Sequence, residues 1–106
     1  MTTKKFTGKL IAIDMYNCSE KIIKDEAAAK EQLQQACNSF GLQPCDIITR
    51  KEEEQSEYSL FAICKQGHVT LHIYPNMGFA TADVFSCMEG AEPENVAKFL
   101  RTYFDA

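Results

Sequence analysis

The patterned segments of this 106-residue chain run β-α-β-β-β-β-α, and that order predicts an α+β fold. The expected form is a two-layer sandwich, a mainly antiparallel sheet with two helices on one face. Three observations lead there. The later strand-like segments are separated by short turns. The segment from His68 to Tyr74 alternates strictly between apolar and polar residues. Two other segments carry apolar residues at helical spacing.

The first strand is expected over Gly8 to Tyr16, where Leu10, Ile11, Ala12 and Ile13 are apolar on both faces, which suits a central strand. Asn17-Cys18-Ser19 breaks it. From about Asp25 the pattern is helical, with Ala29, Leu33, Ala36, Cys37 and Phe40 in one stripe and Gly41 placed to end it in the left-handed conformation. Pro44 to Thr49 predicts a short strand, and the polar run from Lys51 to Glu57 predicts a loop. Tyr58 to Lys65 is strand-like, and Gln66-Gly67 marks a turn or bulge. Along His68 to Tyr74, Val69, Leu71 and Ile73 take one face, and His68, Thr70 and His72 the other. Pro75-Asn76-Met77-Gly78 reads as a turn and Phe79 to Cys87 as the last strand. Pro93 fits the first position of a closing helix, whose stripe is Val96, Phe99, Leu100 and Tyr103. No repeat or linker divides the chain, so residues 1–106 read as a single domain.

Composition narrows the function. The net charge is −4 and the basic residues are scattered, which argues against nucleic acid. No apolar run approaches the ~20 residues of a membrane helix. Met1-Thr2-Thr3-Lys4-Lys5 is basic but lacks the apolar core of a secretory signal. Five cysteines without a C-x-x-C pair predict neither a disulfide framework nor a zinc site. They read as free thiols in a reducing cytoplasm, four of them small buried hydrophobes and Cys87 the exception.

With helices on one sheet face, the other face receives His68, Thr70 and His72 from one strand, and Thr81, Asp83 and Cys87 from the next. Spacing alone reads this as the solvated side of a sheet. A metal shared by His68 and His72 fails, because residues four apart on a strand lie about 13 Å apart. A cysteine hydrolase on Cys87 lacks a third orienting residue and a recognisable nucleophile motif.

The stretch Gly67-His68-Val69-Thr70-Leu71-His72-Ile73-Tyr74-Pro75, followed by Phe79-Ala80-Thr81-Ala82-Asp83-Val84-Phe85-Ser86-Cys87, resembles the core of the prokaryotic S-adenosylmethionine decarboxylases. That family's pattern is Glu-Ser-His-x-Thr-x-His-x-x-Pro-Glu, then aromatic-Ala-x-x-Asp-x-Phe-Ser/Thr-Cys. Tyr16-Asn17-Cys18 is similar to the family's Tyr-Asp-Cys. The resemblance implies a proenzyme that cuts itself. The serine hydroxyl attacks the preceding carbonyl, and β-elimination then leaves a pyruvoyl group, the electron sink for decarboxylation. It also implies roles by position: Ser59 and His72 in processing, His68 directly after the pyruvoyl precursor, and Cys87 as proton donor. Asn76 and Asp83 fall on the substrate-binding side. The family pairs two protomers with active sites between them.

The departures carry as much weight. The serine position is Gly67, the glutamate before it is Gln66, and the ribose-binding glutamate is Asn76. Gly67 has neither hydroxyl nor β-carbon, and Cys64 lies about 10 Å away along an extended strand. The expectation is a cytoplasmic homodimer that does not self-process and has no cofactor. It would be a pseudoenzyme with a binding or regulatory role linked to polyamine metabolism. Its partner would be an S-adenosyl or polyamine-like small molecule, or an active paralogue. The alternative is an enzyme that uses the His68, His72 and Cys87 face for a reaction needing no pyruvoyl group.

Overall fold

In β4 (Gly67–Tyr74) the apolar set Val69, Leu71 and Ile73 is fully buried, while His72 on the opposite face is exposed. One face of this strand meets a core and the other does not, and the same parity runs through its neighbours. The computed structural model describes residues 7–52 and 56–106. β1 (Lys9–Met15), β2 (Pro44–Glu52), β3 (Glu57–Cys64), β4 and β5 (Phe79–Ser86) form one five-stranded sheet, ordered β1-β5-β4-β3-β2. Every neighbouring pair is antiparallel. Tyr58, Leu60 and Ala62 of β3 and Ala80, Ala82 and Val84 of β5 complete the buried face.

The covering layer is α1 (Glu20–Ile23), α2 (Glu26–Ser39) and α3 (Pro93–Tyr103). Asp25 caps α2 by accepting a hydrogen bond from the Ala28 amide at 3.0 Å. Ala29, Leu33, Ala36 and Cys37 form its buried stripe, and Gly41 follows in the left-handed region at φ 80°. Pro93 begins α3, which buries Val96, Ala97 and Leu100, and Phe104 just beyond is fully buried. Tyr58 ties the layers together: its hydroxyl donates to the Ile23 carbonyl at 2.7 Å.

The α+β expectation holds, with three local differences. β1 is an edge strand, not a central one, and its Leu10 is 64% exposed. Its apolar residues on the second face reflect an open sheet surface rather than a covering layer. The single-turn helix α1 is additional, too short to show a helical period. β2 continues to Glu52 and β3 begins at Glu57, so the expected polar loop narrows at both ends; residues 53–55 lie outside the described residues. An edge strand tolerates such charges because half of its backbone faces water. Cys87 lies one residue beyond β5. Of the cysteines, Cys18, Cys37 and Cys64 are buried free thiols and Cys87 is a half-buried one. The Cys45 side chain lies outside the described set.

Candidate functional site on the open sheet face

Register decides which polar groups meet. β3 and β4 are joined by the two-residue loop Lys65-Gln66, so Cys64 pairs with Gly67, and counting outward sets Ser59 opposite His72. On the other side of β4, His72 faces Thr81, Thr70 faces Asp83 and His68 faces Phe85. The flanking strands extend the His72 row: Asp14 pairs with Thr81 and Arg50 with Ser59. One polar row therefore crosses the sheet: Asp14, Thr81, His72, Ser59, Arg50.

The row is hydrogen bonded in segments. Ser59 Oγ and His72 Nδ1 are 2.8 Å apart. Thr81 Oγ1 lies 2.8 Å from Asp14 Oδ1 and 3.1 Å from the Ile13 carbonyl, its two possible acceptors. Arg50 reaches back to Glu52 at 3.3 Å. Arg50, Glu57, Ser59, His72 and Tyr74 line a small open cleft of about 120 Å³.

His68 belongs to a different neighbourhood. Its ring lies between Phe61 (5.9 Å, 27°) and Phe85 (5.5 Å, 30°). Its chemistry is therefore that of an imidazole stacked between hydrocarbon rings. At the same end of β4, Gln66 takes the left-handed conformation at φ 58°. The Gln66 carbonyl accepts the Cys87 amide at 2.9 Å and the Cys87 thiol at 3.4 Å. Cys87 is thus engaged with the carbonyl that immediately precedes Gly67.

Gly67 lies against the backbone of β5. A β-carbon built there would be 2.3 Å from the Phe85 carbonyl oxygen and 3.1 Å from the Ser86 α-carbon. Real β-carbons do not approach backbone that closely. The backbone of Gly67 is outside the left-handed region, so close approach, not φ, demands glycine here. Opposite it, the buried Ser86 hydroxyl accepts the Met88 amide at 3.1 Å.

The sequence-expected residues therefore fall into two groups. Ser59 and His72 touch, in one row with Thr81. Gly67, His68 and Cys87 gather near the hairpin, and Asp83 sits between the groups opposite Thr70. Gly67 and His72 are five positions apart, roughly 17 Å along β4. Asn76 joins neither group. It lies on a 3-10 turn and lines a separate recess with Lys24, Glu26, Lys51, Ser56, Tyr58 and Pro75. Asp14, Arg50 and the rings on His68 are members of this face that the family motif does not mark. Carrying the alternation of Ile48 one step further along β2 leads to Arg50, and two steps from Leu10 along β1 lead to Asp14. No group of metal-ligating residues occurs among the described residues.

Comparison with known proteins agrees with the fold. The sequence profile described as S-adenosylmethionine decarboxylase matches residues 9–106. An S-adenosylmethionine decarboxylase proenzyme of Methanococcus aeolicus is 27% identical over 99 residues, covering 93% of this chain and 84% of the relative. The proenzyme of Synechococcus sp. (strain WH7803) is 30% identical over 94 residues, covering 89% of this chain and 73% of the relative. The crystal structure of the adenosylmethionine decarboxylase of Aquifex aeolicus superposes with a TM-score of 0.83 at 20% identity, over 96% of this chain and 83% of that one. This chain belongs to the S-adenosylmethionine decarboxylase family.

Proposed function

We propose that this family member does not cut itself, carries no pyruvoyl group, and serves polyamine metabolism by binding rather than by turnover. The observation that carries this reading is Gly67, which the motif aligns with the family's precursor serine. A pyruvoyl group is made from the α- and β-carbons of the residue at that position. Gly67 has no β-carbon, and the Phe85 carbonyl occupies the space one would need. The residues present do not fit the group. Without an electron sink, a carbanion at the reacting carbon is not delocalised, and acid-base residues do not substitute for one.

Two further expectations rest on the same face. Leu10, Ile48, Phe61 and Ile63 are between 40% and 64% exposed on a sheet side that no described helix covers. We assign that side to pairing with a second copy. The ligand class is an S-adenosyl or polyamine-like small molecule, and the free thiols fit a cytoplasmic location. No described helix is long and apolar enough to cross a membrane. A pyruvoyl-independent reaction on His68, His72 and Cys87 has less support, because β4 holds the two imidazoles about 13 Å apart and Phe61 and Phe85 flank His68.

The test is intact-mass measurement of purified protein after long incubation, beside a labelled-carboxyl assay with S-adenosylmethionine. The expected outcome is one species at 12.0 kDa and no labelled carbon dioxide. Fragments divided between Gln66 and Gly67, or carbon dioxide release abolished by Cys87→Ala, would overturn the reading.

A further inference from the structure

We infer that Cys37 and Cys64 are an oxidisable thiol pair, closed by a hydroperoxide into an intramolecular disulfide that locks the end of α2 to the β3–β4 hairpin. The pair lies on the helix side of the sheet, away from the Ser59–His72 row, and it works whether or not the chain cuts itself.

The path of the chain brings the two thiols together. Cys37 closes the buried stripe of α2 and has no exposed surface. The Leu42 amide donates to the Cys37 carbonyl at 2.9 Å as the chain turns back toward the sheet. The Gln43 carbonyl then accepts the Lys65 amide at 3.2 Å, and Pro44 pairs with Cys64. Cys64 shares the parity of Tyr58, Leu60 and Ala62, so its side chain joins the core on the side of α2. There the Cys37 thiol interacts by hydrogen bonding with the Cys64 sulfur. The Cys64 thiol itself lies 3.7 Å from the Ala62 carbonyl. A thiol already directed at a second sulfur needs only a short closure to bond with it.

The two are not equivalent. The interaction with Cys37 holds the Cys64 thiol below its ordinary range, against the opposing effect of burial; the same interaction, with burial, pushes Cys37 up. Cys64 is also the reachable one, at 7% exposure. Beside it the β2–β3 ladder is interrupted by a register shift between Pro44 and Asp46, and a bulge of this kind leaves ladder bonds unmade. Gln43 and Gln66, on either side, both take the left-handed conformation, at φ 39° and 58°. Local opening at such a place admits a small oxidant without unfolding the core. Cys18 lies toward the opposite end of the sheet, its amide on the Gly78 carbonyl, and the Cys87 thiol is engaged with the Gln66 carbonyl.

The Cys64 thiolate attacks a peroxide oxygen, the O–O bond breaks and hydroxide leaves, which makes Cys64 a sulfenic acid. The Cys37 sulfur then bonds to the Cys64 sulfur, the S–O bond breaks, and hydroxide leaves with the Cys37 proton as water. Two thiols and one hydrogen peroxide give one disulfide and two waters. The new bond ends one residue before the Lys65-Gln66 loop, whose Gln66 carbonyl holds Cys87, and so stiffens the hairpin that carries Gly67.

The probe is hydrogen peroxide, titrated at neutral pH into reduced protein freed of reductant. Intact mass should fall by about 2 Da. Three of the five cysteines should still alkylate, and a peptide map should join Cys37 to Cys64. Dithiothreitol should reverse the change. Amide hydrogen exchange over residues 63–67 should slow at least about tenfold in the bridged form. Cys37→Ala should leave Cys64 as a sulfenic acid that dimedone traps, whereas Cys64→Ala should leave Cys37 at least about tenfold less reactive. A bridge between other cysteines, a bridge between chains, oxidation confined to Cys87, or exchange unchanged by the bridge overturns the inference. The peptide map is read on the unaltered chain, so it decides the matter even if a variant fails to fold.

Discussion

Glycine at position 67 removes a hydroxyl and also lets β4 and β5 close together. The first effect is legible in the sequence, since a side chain of one hydrogen carries no nucleophile. The second is not, because it depends on where the Phe85 carbonyl falls in the folded sheet. Gly67→Ala is therefore expected to cost roughly 1–3 kcal/mol, the range for forcing a methyl group into filled space. Chemical denaturation would measure it, and an unchanged midpoint would refute the contact. The same contact argues that Gln66→Glu with Gly67→Ser restores no cleavage by itself, which intact mass would show. Tyr58 gives a residue-scale prediction of another kind. Burial, then the neighbouring Tyr103, Glu26 and Asp25, push its phenol above the ordinary tyrosine range. The fold thus favours neutral Tyr58. Its contribution is fully present below the unfolded value near pH 10 and is lost as pH rises beyond it, where the unfolded chain releases the proton first. Tyr58→Phe should lose about 1 kcal/mol at neutral pH with the bond to Ile23, and its melting temperature should fall less steeply above pH 10. The Cys37 thiol is also pushed up, by hydrogen-bonding interaction with the neighbouring Cys64 thiol and by burial, so the variant flattens the alkaline slope without abolishing it. A slope identical to the parent's would rule out Tyr58 as a source.

Among the elements, α2 owes its start to one side chain. Asp25→Ala removes the acceptor for the Ala28 amide and is expected to cost about 1 kcal/mol, or roughly 4–8 °C in a domain of this size. Asp25→Asn should retain most of the stability, because its amide oxygen still accepts; equal losses in both variants would show that the cap bond is not the cause. α2 and α3 were legible because stripe, cap and terminating residue agreed. α1 was not, since a four-residue turn has no period to read. Apolar residues on both faces give β1 the look of a central strand, yet the sequence does not say what covers the second face. The charged end of β2 resembles a loop in the sequence, although an edge strand carries such residues readily. The site divides in the same way. Alternation placed His68, Thr70 and His72 on one face, whereas contact between Ser59 and His72 needed the register set by Lys65-Gln66. The separation of that pair from Cys87 also follows from register.

For the whole molecule, the uncovered sheet face is the feature that a single copy leaves unsatisfied. It is a mixed surface, with Leu10, Ile48, Phe61 and Ile63 exposed around a polar row. Such a patch fits the pairing proposed above, because isolated domains seldom leave large apolar patches in water. Phe61 is the place to test this. It is 40% exposed, stacks on His68 and has none of its bulk in the helix-side core, so replacing it perturbs the face more than the fold. Phe61→Lys places a charge where a pair would exclude water, and an unpaired buried charge is among the most costly groups in an interface. The parent is expected to give twice the 12.0 kDa chain mass by light scattering at micromolar concentration. The variant is expected to give a monomer mass with an unchanged far-ultraviolet spectrum, a loss of affinity of at least about a hundredfold. Phe61→Leu keeps the apolar contact and should still pair. A parent that remains monomeric at micromolar concentration, or a lysine variant that pairs as well as the parent, would mean that this face is not where two chains meet.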